Sequence, residues 1–163
     1  MFNFNENAQI YYTYMKHLSE RYKPTNHEGG FFRGELEEFY QALRSKVEFP
    51  CLVVEGFKNE LDNPSSDRYF KCRTTSFTVV CSYQEYQNYD AIEKALGESE
   101  EHGEEFIKQM LFDGRESDCQ VLIEDISTLI IDNAPEKYIG LRYTFTIKSF
   151  FNTQPNKTIW RKS

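Results

Sequence analysis

The side chains that could carry out chemistry in this sequence are few and widely separated. Its three histidines are His17, His27 and His102, and none has the HExxH or other spacing by which histidines and carboxylates hold zinc. His27 is followed by Glu28 and two glycines, a combination that could place a general base beside a mobile loop. The same residue types make an ordinary solvated loop between two helices. We therefore favour a loop over a catalytic site.

Two groups of carboxylates are further candidates. Glu124, Asp125 and Asp132 flank apolar strand residues and could form an acid/base set, but charges at strand ends and turns usually have a structural role. The second group lies between residues 98 and 105 and lacks the alternating ligands and central glycine of a calcium loop. It consists of Glu98, Glu100, Glu101, Glu104 and Glu105. We interpret it as a solvated face, or as a negative surface along which DNA passes without adhering.

The sequence contains no motif for nucleotide or acyl chemistry. No GxSxG elbow, glycine-rich phosphate loop or dinucleotide fingerprint occurs. None of the four cysteines lies in a CxxC motif, and we expect reduced thiols that pack as small apolar side chains. They are Cys51, Cys72, Cys81 and Cys119. We therefore predict that the protein is not an enzyme, with no catalytic residues, no cofactor and no metal site.

Composition limits the class of protein and its partners. The 163 residues suit one domain, and 26 acidic against 19 basic residues give a net charge of −7, which should repel nucleic acid and anionic membranes. No stretch reaches the roughly 18 apolar residues of a membrane helix, and Met1–Asn7 lacks the parts of a signal peptide. Aromatic residues make up 16% of the chain and suit protein interfaces. We expect an intracellular protein without membrane contacts.

Apolar residues at helical spacing predict three helices. The first spans Glu6–Tyr22. The third begins with Asp90 as its N-cap and ends at Gly114, and its glutamates and glycines should weaken its middle and split it in two. The second has an apolar stripe of Leu36, Phe39, Tyr40, Leu43 and Val47.

Four strands complete the predicted domain. Cys51–Val54 is a short apolar run, after which the turn-forming residues of Leu61–Asp67 should make a loop. Arg68–Tyr83 has the alternation of a half-buried strand. Gln120–Ile131 and Tyr138–Phe151 should pair as a hairpin, because the turn-forming residues 132–135 separate them. Apolar and polar side chains of the second strand alternate strictly.

The order of these elements, α-α-β-β-α-β-β, predicts one α+β domain over residues 1–151. We expect a four-stranded antiparallel or mixed sheet with helices packed on one face. Residues 152–163 contain basic residues and no acid, have Ile159 and Trp160 as their large apolar residues, and lack periodicity. They are predicted to form a C-terminal arm.

Three segments between Glu35 and Phe151 form a recognisable pattern. A helix leads into residues 48–54, EFPCLVV, an acidic-Phe-Pro-apolar entry to a first strand. Residues 75–80, TSFTVV, precede a helix, and residues 138–147, YIGLRYTFTI, form a closing strand. This pattern resembles the tail terminator proteins of long-tailed bacteriophages. The first helix and the C-terminal arm are additions to it.

The resemblance implies a homo-oligomeric ring, a hexamer, that caps the tail tube and joins it to the head connector. Its partners would be copies of itself, a tail tube or sheath protein and the head connector protein, with transient passage of DNA through a lumen lined by the five glutamates. Its location would be the tail or neck of the virion, after assembly in the bacterial host cytoplasm. Candidate interface residues are Asp62, Asn63, Asp67, Arg142, Thr144, Lys148 and Trp160.

Two other functions are open at this point. One is a head-tail connector or a baseplate adaptor of a phage or contractile injection system, which would bind neighbouring proteins through the same surfaces. The other is a small hydrolase or ligand-binding enzyme that uses His27 or the carboxylates of the strand ends. Rings of the purified protein would indicate the terminator, whereas an activity lost on replacement of His27 would indicate the enzyme.

Overall fold

The chain folds into a five-stranded mixed sheet with helices on both faces. A computed structural model describes residues 3–42, 48–85, 87–117 and 120–160. Its helices are α1 (Ala8–Arg21), α2 (Leu36–Ala42) and α3 (Tyr89–Glu116), with a 3-10 helix at Lys23–Thr25. Its strands are β1 (Phe31–Arg33), β2 (Cys51–Ser65), β3 (Arg68–Ser82), β4 (Leu122–Asn133) and β5 (Tyr138–Phe151). The α+β class is confirmed, and the prediction of four strands is wrong.

The additional strand is β1, which forms one edge of the sheet. The strand order is β1-β2-β3-β5-β4. β1 pairs parallel to β2, with Phe31 opposite Leu52, whereas the other neighbouring strands pair antiparallel. Three residues are too few to show the alternation by which a strand is recognised in a sequence.

Two layers of core lie on opposite faces of the sheet. Leu52 and Val54 belong to a core that contains buried residues of α1 and α3, while Cys51 and Val53 belong to a second core around Phe39 of α2. Because successive strand residues point to opposite faces, α2 covers the face away from α1 and α3. The prediction of helices on one face is therefore wrong for α2. Leu43 and Val47, predicted for the same helix, lie outside the described residues.

Helix α3 is continuous over 28 residues, so the predicted split is wrong. It begins after Asn88, whose side chain accepts a hydrogen bond from the backbone N–H of Ala91 at 3.2 Å, and the N-cap is therefore not Asp90. Gly103 lies on the buried side of the helix, where a Cβ would collide with the ring of Tyr143. The glycine permits close approach of helix and sheet instead of ending the helix.

The segment Leu61–Asp67, predicted as a loop, is mostly strand. β2 and β3 are 15-residue strands joined by a turn at Ser66 and Asp67. Pro64 lies at an irregularity of the β2–β3 register, on the outer strand of the hairpin. Proline is tolerated there because its missing N–H is not needed on an open edge. The turn-forming residues thus mark the end of a long hairpin.

The predicted hairpin of the last two strands is confirmed. β4 and β5 pair antiparallel from Asn133 opposite Tyr138 to Leu122 opposite Lys148. Tyr143, Phe145 and Ile147 of β5 are buried beneath the helices. The residues next to them in the strand point to the opposite face of the sheet and are half-buried: Arg142, Thr144, Thr146 and Lys148.

Candidate interaction surfaces

His27 holds together two backbone segments. Its Nε2 lies 2.9 Å from the carbonyl oxygen of Pro50, and its Nδ1 lies 3.0 Å from the carbonyl oxygen of Glu28. Both partners can only accept hydrogen bonds, and a neutral imidazole carries one N–H, so the ring donates to one of the two carbonyl oxygens at a time. The Glu48 carboxylate is 3.9 Å from Nδ1. This arrangement fixes the loop before β1 against the start of β2.

The carboxylates of β4 lie on the opposite edge of the sheet from His27. Glu124 and Asp132 are eight residues apart on one strand, roughly 26 Å at 3.3 Å per residue. Asp132 accepts a hydrogen bond from the Tyr83 hydroxyl at 3.4 Å, and Asp125 occupies an irregularity of the strand with φ of 54°. The structure therefore does not bring the proposed acid/base residues together. Within the described ranges, no cluster of three or more His, Cys, Asp and Glu side chains could hold a metal ion.

His102 joins α3 to the end of α1, whereas His17 lies exposed on α1. Nδ1 of His102 is 2.7 Å from the Tyr22 hydroxyl, and the two rings meet edge to face. Burial lowers the pKa of His102, while Glu98 and Glu101 act in the opposite direction. The contact links two helices near the acidic face of α3.

The cysteines that the structure describes are free thiols. Cys51 and Cys81 are buried, and burial raises the pKa of each to about 12. Cys72 is half-buried, and burial raises its pKa as well. Because the thiolate is the nucleophile, burial disfavours the reactive form of these groups, most strongly for Cys51 and Cys81. Cys119 lies outside the described residues.

The outer edge strand β4 exposes apolar side chains. Those of Leu122, Ile126, Leu129 and Ile130 are 46%, 42%, 60% and 55% exposed. Edge strands are usually protected by charged side chains, proline, bulges or a covering element. β4 has no lysine or proline, and its register irregularity lies between Glu124 and Ser127, away from Leu129 and Ile130. An exposed apolar edge is a surface for contact with another chain. The sequence predicted the strand but not its exposure, because an exposed apolar strand and a core strand have the same apolar pattern.

The polar face of β5 is occupied by contacts within the chain. Arg142 donates to both carboxylate oxygens of the buried Glu55, from Nε at 2.7 Å and Nη2 at 3.0 Å. The hydroxyl oxygens of Thr144 and Ser76 are 2.8 Å apart. Arg142 and Thr144, both proposed for an interface, therefore also connect strands within one subunit.

Lys148 and Asp62, two further candidates, form an ion pair at 3.3 Å that bridges β5 and β2. Asn63 and Asp67 are exposed at the end of the β2–β3 hairpin. Trp160 is 68% exposed on the segment 152–160, which contains neither helix nor strand in the structure. The hairpin end and the arm are thus open to a partner.

The five glutamates of α3 are all exposed. The opposite side of the same stretch is buried against the sheet at Ser99 and Gly103. Glu105 accepts a hydrogen bond from the Lys108 ammonium at 2.6 Å, and this pair too is exposed. In the part of the chain that the structure describes, no helix has the length and apolar character needed to cross a membrane.

The chain has no significant match among protein-family models, curated proteins or solved structures. Its function must therefore be inferred from its own surfaces. The most distinctive of these are the apolar edge strand β4, the long β2–β3 hairpin and the acidic side of α3.

Proposed function

We propose that this protein is a tail terminator of a long-tailed bacteriophage: a structural subunit that forms a closed homo-oligomeric ring, a hexamer, at the end of the tail tube. The ring would stop growth of the tube and provide a surface for the head connector. The observation that carries the proposal is the exposed apolar strand β4 at one edge of the sheet. The order of elements that resembles this family supports it.

The two edges of the sheet differ, and this favours head-to-tail association. One edge is β4, and the other consists of the short β1 and the outer half of β2, residues 57–65. A contact between two different surfaces is heterologous, so each subunit retains one surface for the next copy. Such a contact generates a ring when its rotation closes.

The energy available from β4 indicates that the interface is larger than this strand. Full burial of a Leu or Ile side chain contributes roughly 1.5–3 kcal/mol, so covering four half-exposed ones contributes on the order of 3–6 kcal/mol. Association of two proteins costs about 4–15 kcal/mol in lost freedom of motion. The proposed contact must therefore include other elements, and the β2–β3 hairpin and the C-terminal arm are exposed and well placed for this.

The acidic side of α3 is the proposed lining of the ring. Helix α3 is about 42 Å long at 1.5 Å per residue, and five glutamates project from one part of it. A negative wall repels the phosphates of DNA. DNA would therefore pass through the ring without being held by it.

A second candidate is a head-tail connector or baseplate adaptor of a phage or contractile injection system. The β2–β3 hairpin favours it, because the strand residues beyond Phe57 are exposed and extend a sheet edge that a different protein could pair with. The same surfaces would then bind a neighbouring protein instead of a second copy.

Negative-stain electron microscopy of the purified chain tests the proposal. Sixfold rings with a central opening are expected. Single subunits that assemble only with a sheath or portal protein would favour the adaptor. Single subunits with an enzymatic activity that is lost in His27→Ala would contradict both assembly functions.

A further inference from the structure

The groove between α1 and α3 has an apolar floor and an acidic rim. Phe4, Tyr14 and Leu18 line a cavity of about 470 Å³, together with Asp113 and Glu116 of α3. Pockets of roughly 300–1,000 Å³ enclose ligands the size of a few side chains. The groove is therefore large enough for two apolar side chains of a partner.

Carboxylates form part of the rim of this groove. Leu18 and Arg21 also line a smaller cavity of about 140 Å³, which continues toward Glu105. The carboxylates along both cavities are Glu105, Asp113 and Glu116, beside the guanidinium of Arg21 and the imidazole of His17. Glu105 is paired with the Lys108 ammonium and Asp113 accepts a hydrogen bond from the Tyr14 hydroxyl, whereas Glu116 has no ion-pair partner among the described residues. The groove thus suits an apolar segment that carries positive charge.

The C-terminal arm is a segment with this chemistry. Ile159 and Trp160 are 76% and 68% exposed, although each is large and apolar. The surrounding sequence, residues 152–163, contains no acidic residue. Its basic residues are Lys157, Arg161 and Lys162.

We propose that Ile159 and Trp160 of one copy bind in the α1–α3 groove of a neighbouring copy. This inference rests on the proposed ring. Binding of the arm would add to the apolar area buried between subunits, to which β4 alone contributes too little. Tryptophan is one of the residue types enriched among those that dominate the energy of protein interfaces. The basic residues of the arm would lie beside the acidic rim, and opposite charges there would fix the orientation of the arm.

The arm is long enough to extend beyond its own subunit. Residues 152–160 span up to roughly 30 Å when extended. The arm leaves the sheet beside the N-terminal segment, where Asn5 Nδ2 donates to Ser149 Oγ at 2.9 Å, and Phe4 next to it stacks on Tyr14. The arm therefore starts near the groove of its own copy, yet Trp160 is exposed outside it.

Trp160 is the sole tryptophan of the sequence, so its fluorescence reports directly on the position of the arm. The experiment uses the full chain over a range of concentrations, with the particle mass measured in parallel. We expect the emission to shift to shorter wavelength, and its quenching by acrylamide to fall several-fold, as rings form. The reason is that the indole passes from water into an apolar groove.

Two groove variants and one control make the test specific. Thr13→Arg places a bulky cation on the exposed wall of the groove, and Glu116→Arg reverses the charge of its rim; both side chains are exposed, so folding should be retained. Both variants are expected to reduce the shift. Gln9→Arg, exposed on α1 but outside the groove lining, should keep it.

Each other outcome overturns the inference in a distinguishable way. Rings in which Trp160 stays as accessible as in single subunits would refute arm binding and leave the proposed ring intact. An emission of Trp160 that is shifted equally at every protein concentration would place the arm in the groove of its own copy. A full shift in folded Thr13→Arg would place it elsewhere. Absence of both ring and shift would refute the proposed function as well.

Discussion

Arg73 is fully buried, and its charge is stabilised by one amide and two aromatic rings. Its Nε donates to Asn5 Oδ1 at 2.9 Å, and its guanidinium carbon lies 4.1 Å from the centroid of the Phe57 ring and 5.3 Å from that of Tyr11. Among the described residues, Nη1 and Nη2 have no hydrogen-bond acceptor. Burial lowers the pKa of Arg73, although an arginine stays protonated. The charge thus depends strongly on Asn5.

Replacing Asn5 with alanine should lower the free energy of unfolding by about 1–3 kcal/mol, because it leaves a buried charged donor without its partner. Arg73→Met should cost less, since it removes the charge that needs the partner. Urea unfolding measures both. The control is Asn59→Ala, an exposed position expected to change stability by less than about 0.5 kcal/mol. A smaller loss for Asn5→Ala than for Arg73→Met would contradict this account.

His102 should make stability depend on pH. Burial lowers its pKa in the folded state below the ordinary value of 6.5, so the unfolded chain binds the proton more tightly. The stabilising contribution is complete above pH 6.5 and is lost as the pH falls below it. His102→Gln should flatten the dependence of the unfolding free energy on pH in that range. His17→Gln, at an exposed histidine, should follow the wild type; equal slopes for all three proteins would refute the assignment.

These residue contacts could not be predicted from the sequence. Asn5 and Arg73 are 68 residues apart, and Tyr22 and His102 are 80 residues apart. Composition and spacing identify neither pair, because only the packing of the N-terminal segment and of α1 on the sheet brings them together. The sequence did identify His27 as part of a loop, and its ring does contact two backbone carbonyls.

Among the elements, hydrophobic periodicity predicted long helices and strands. It failed for a very short strand and where turn-forming residues or glycines lie inside a helix or strand. α1, β3 and the β4–β5 hairpin follow the predicted pattern. β1 is too short for a pattern, and the turn-forming residues within Leu61–Asp67 concealed the continuation of β2. Glycines in α3 predicted a break, but their role depends on what the helix packs against.

Two glycines of α3 give opposite predictions for the same substitution. Gly97→Ala should raise the free energy of unfolding by about 0.5–1 kcal/mol, because nothing lies within 4 Å of the added methyl group and alanine favours the helix. Gly103→Ala should lower it by about 1–3 kcal/mol, because the methyl group would collide with the Tyr143 ring. Chemical denaturation of both variants tests the close packing of α3. A stabilised Gly103→Ala would show that the helix can move away at little cost.

For the molecule as a whole, the candidate surfaces were predicted only in part. The exposed hairpin end and arm agree with residue type, since polar turn residues and an aperiodic basic tail favour the surface. Arg142 and Lys148 were proposed for contacts with other subunits, yet both pair with carboxylates of their own chain. The exposure of β4 depends on strand order, which a sequence pattern does not contain. Leu129 and Ile130 look like core residues until the edge of the sheet is known.

The central claim is that copies of this chain associate through β4, and the mass of the particle in solution tests it most directly. Sedimentation velocity of the wild type should show a species of six times 19.4 kDa, about 116 kDa. Leu129→Lys, which places a charge on the exposed strand, should sediment as a single subunit. Tyr89→Lys, at an exposed aromatic residue that belongs to none of the proposed surfaces, should assemble normally. A wild type that stays at 19.4 kDa at every concentration, or a Leu129→Lys variant that assembles like the wild type, would contradict the account.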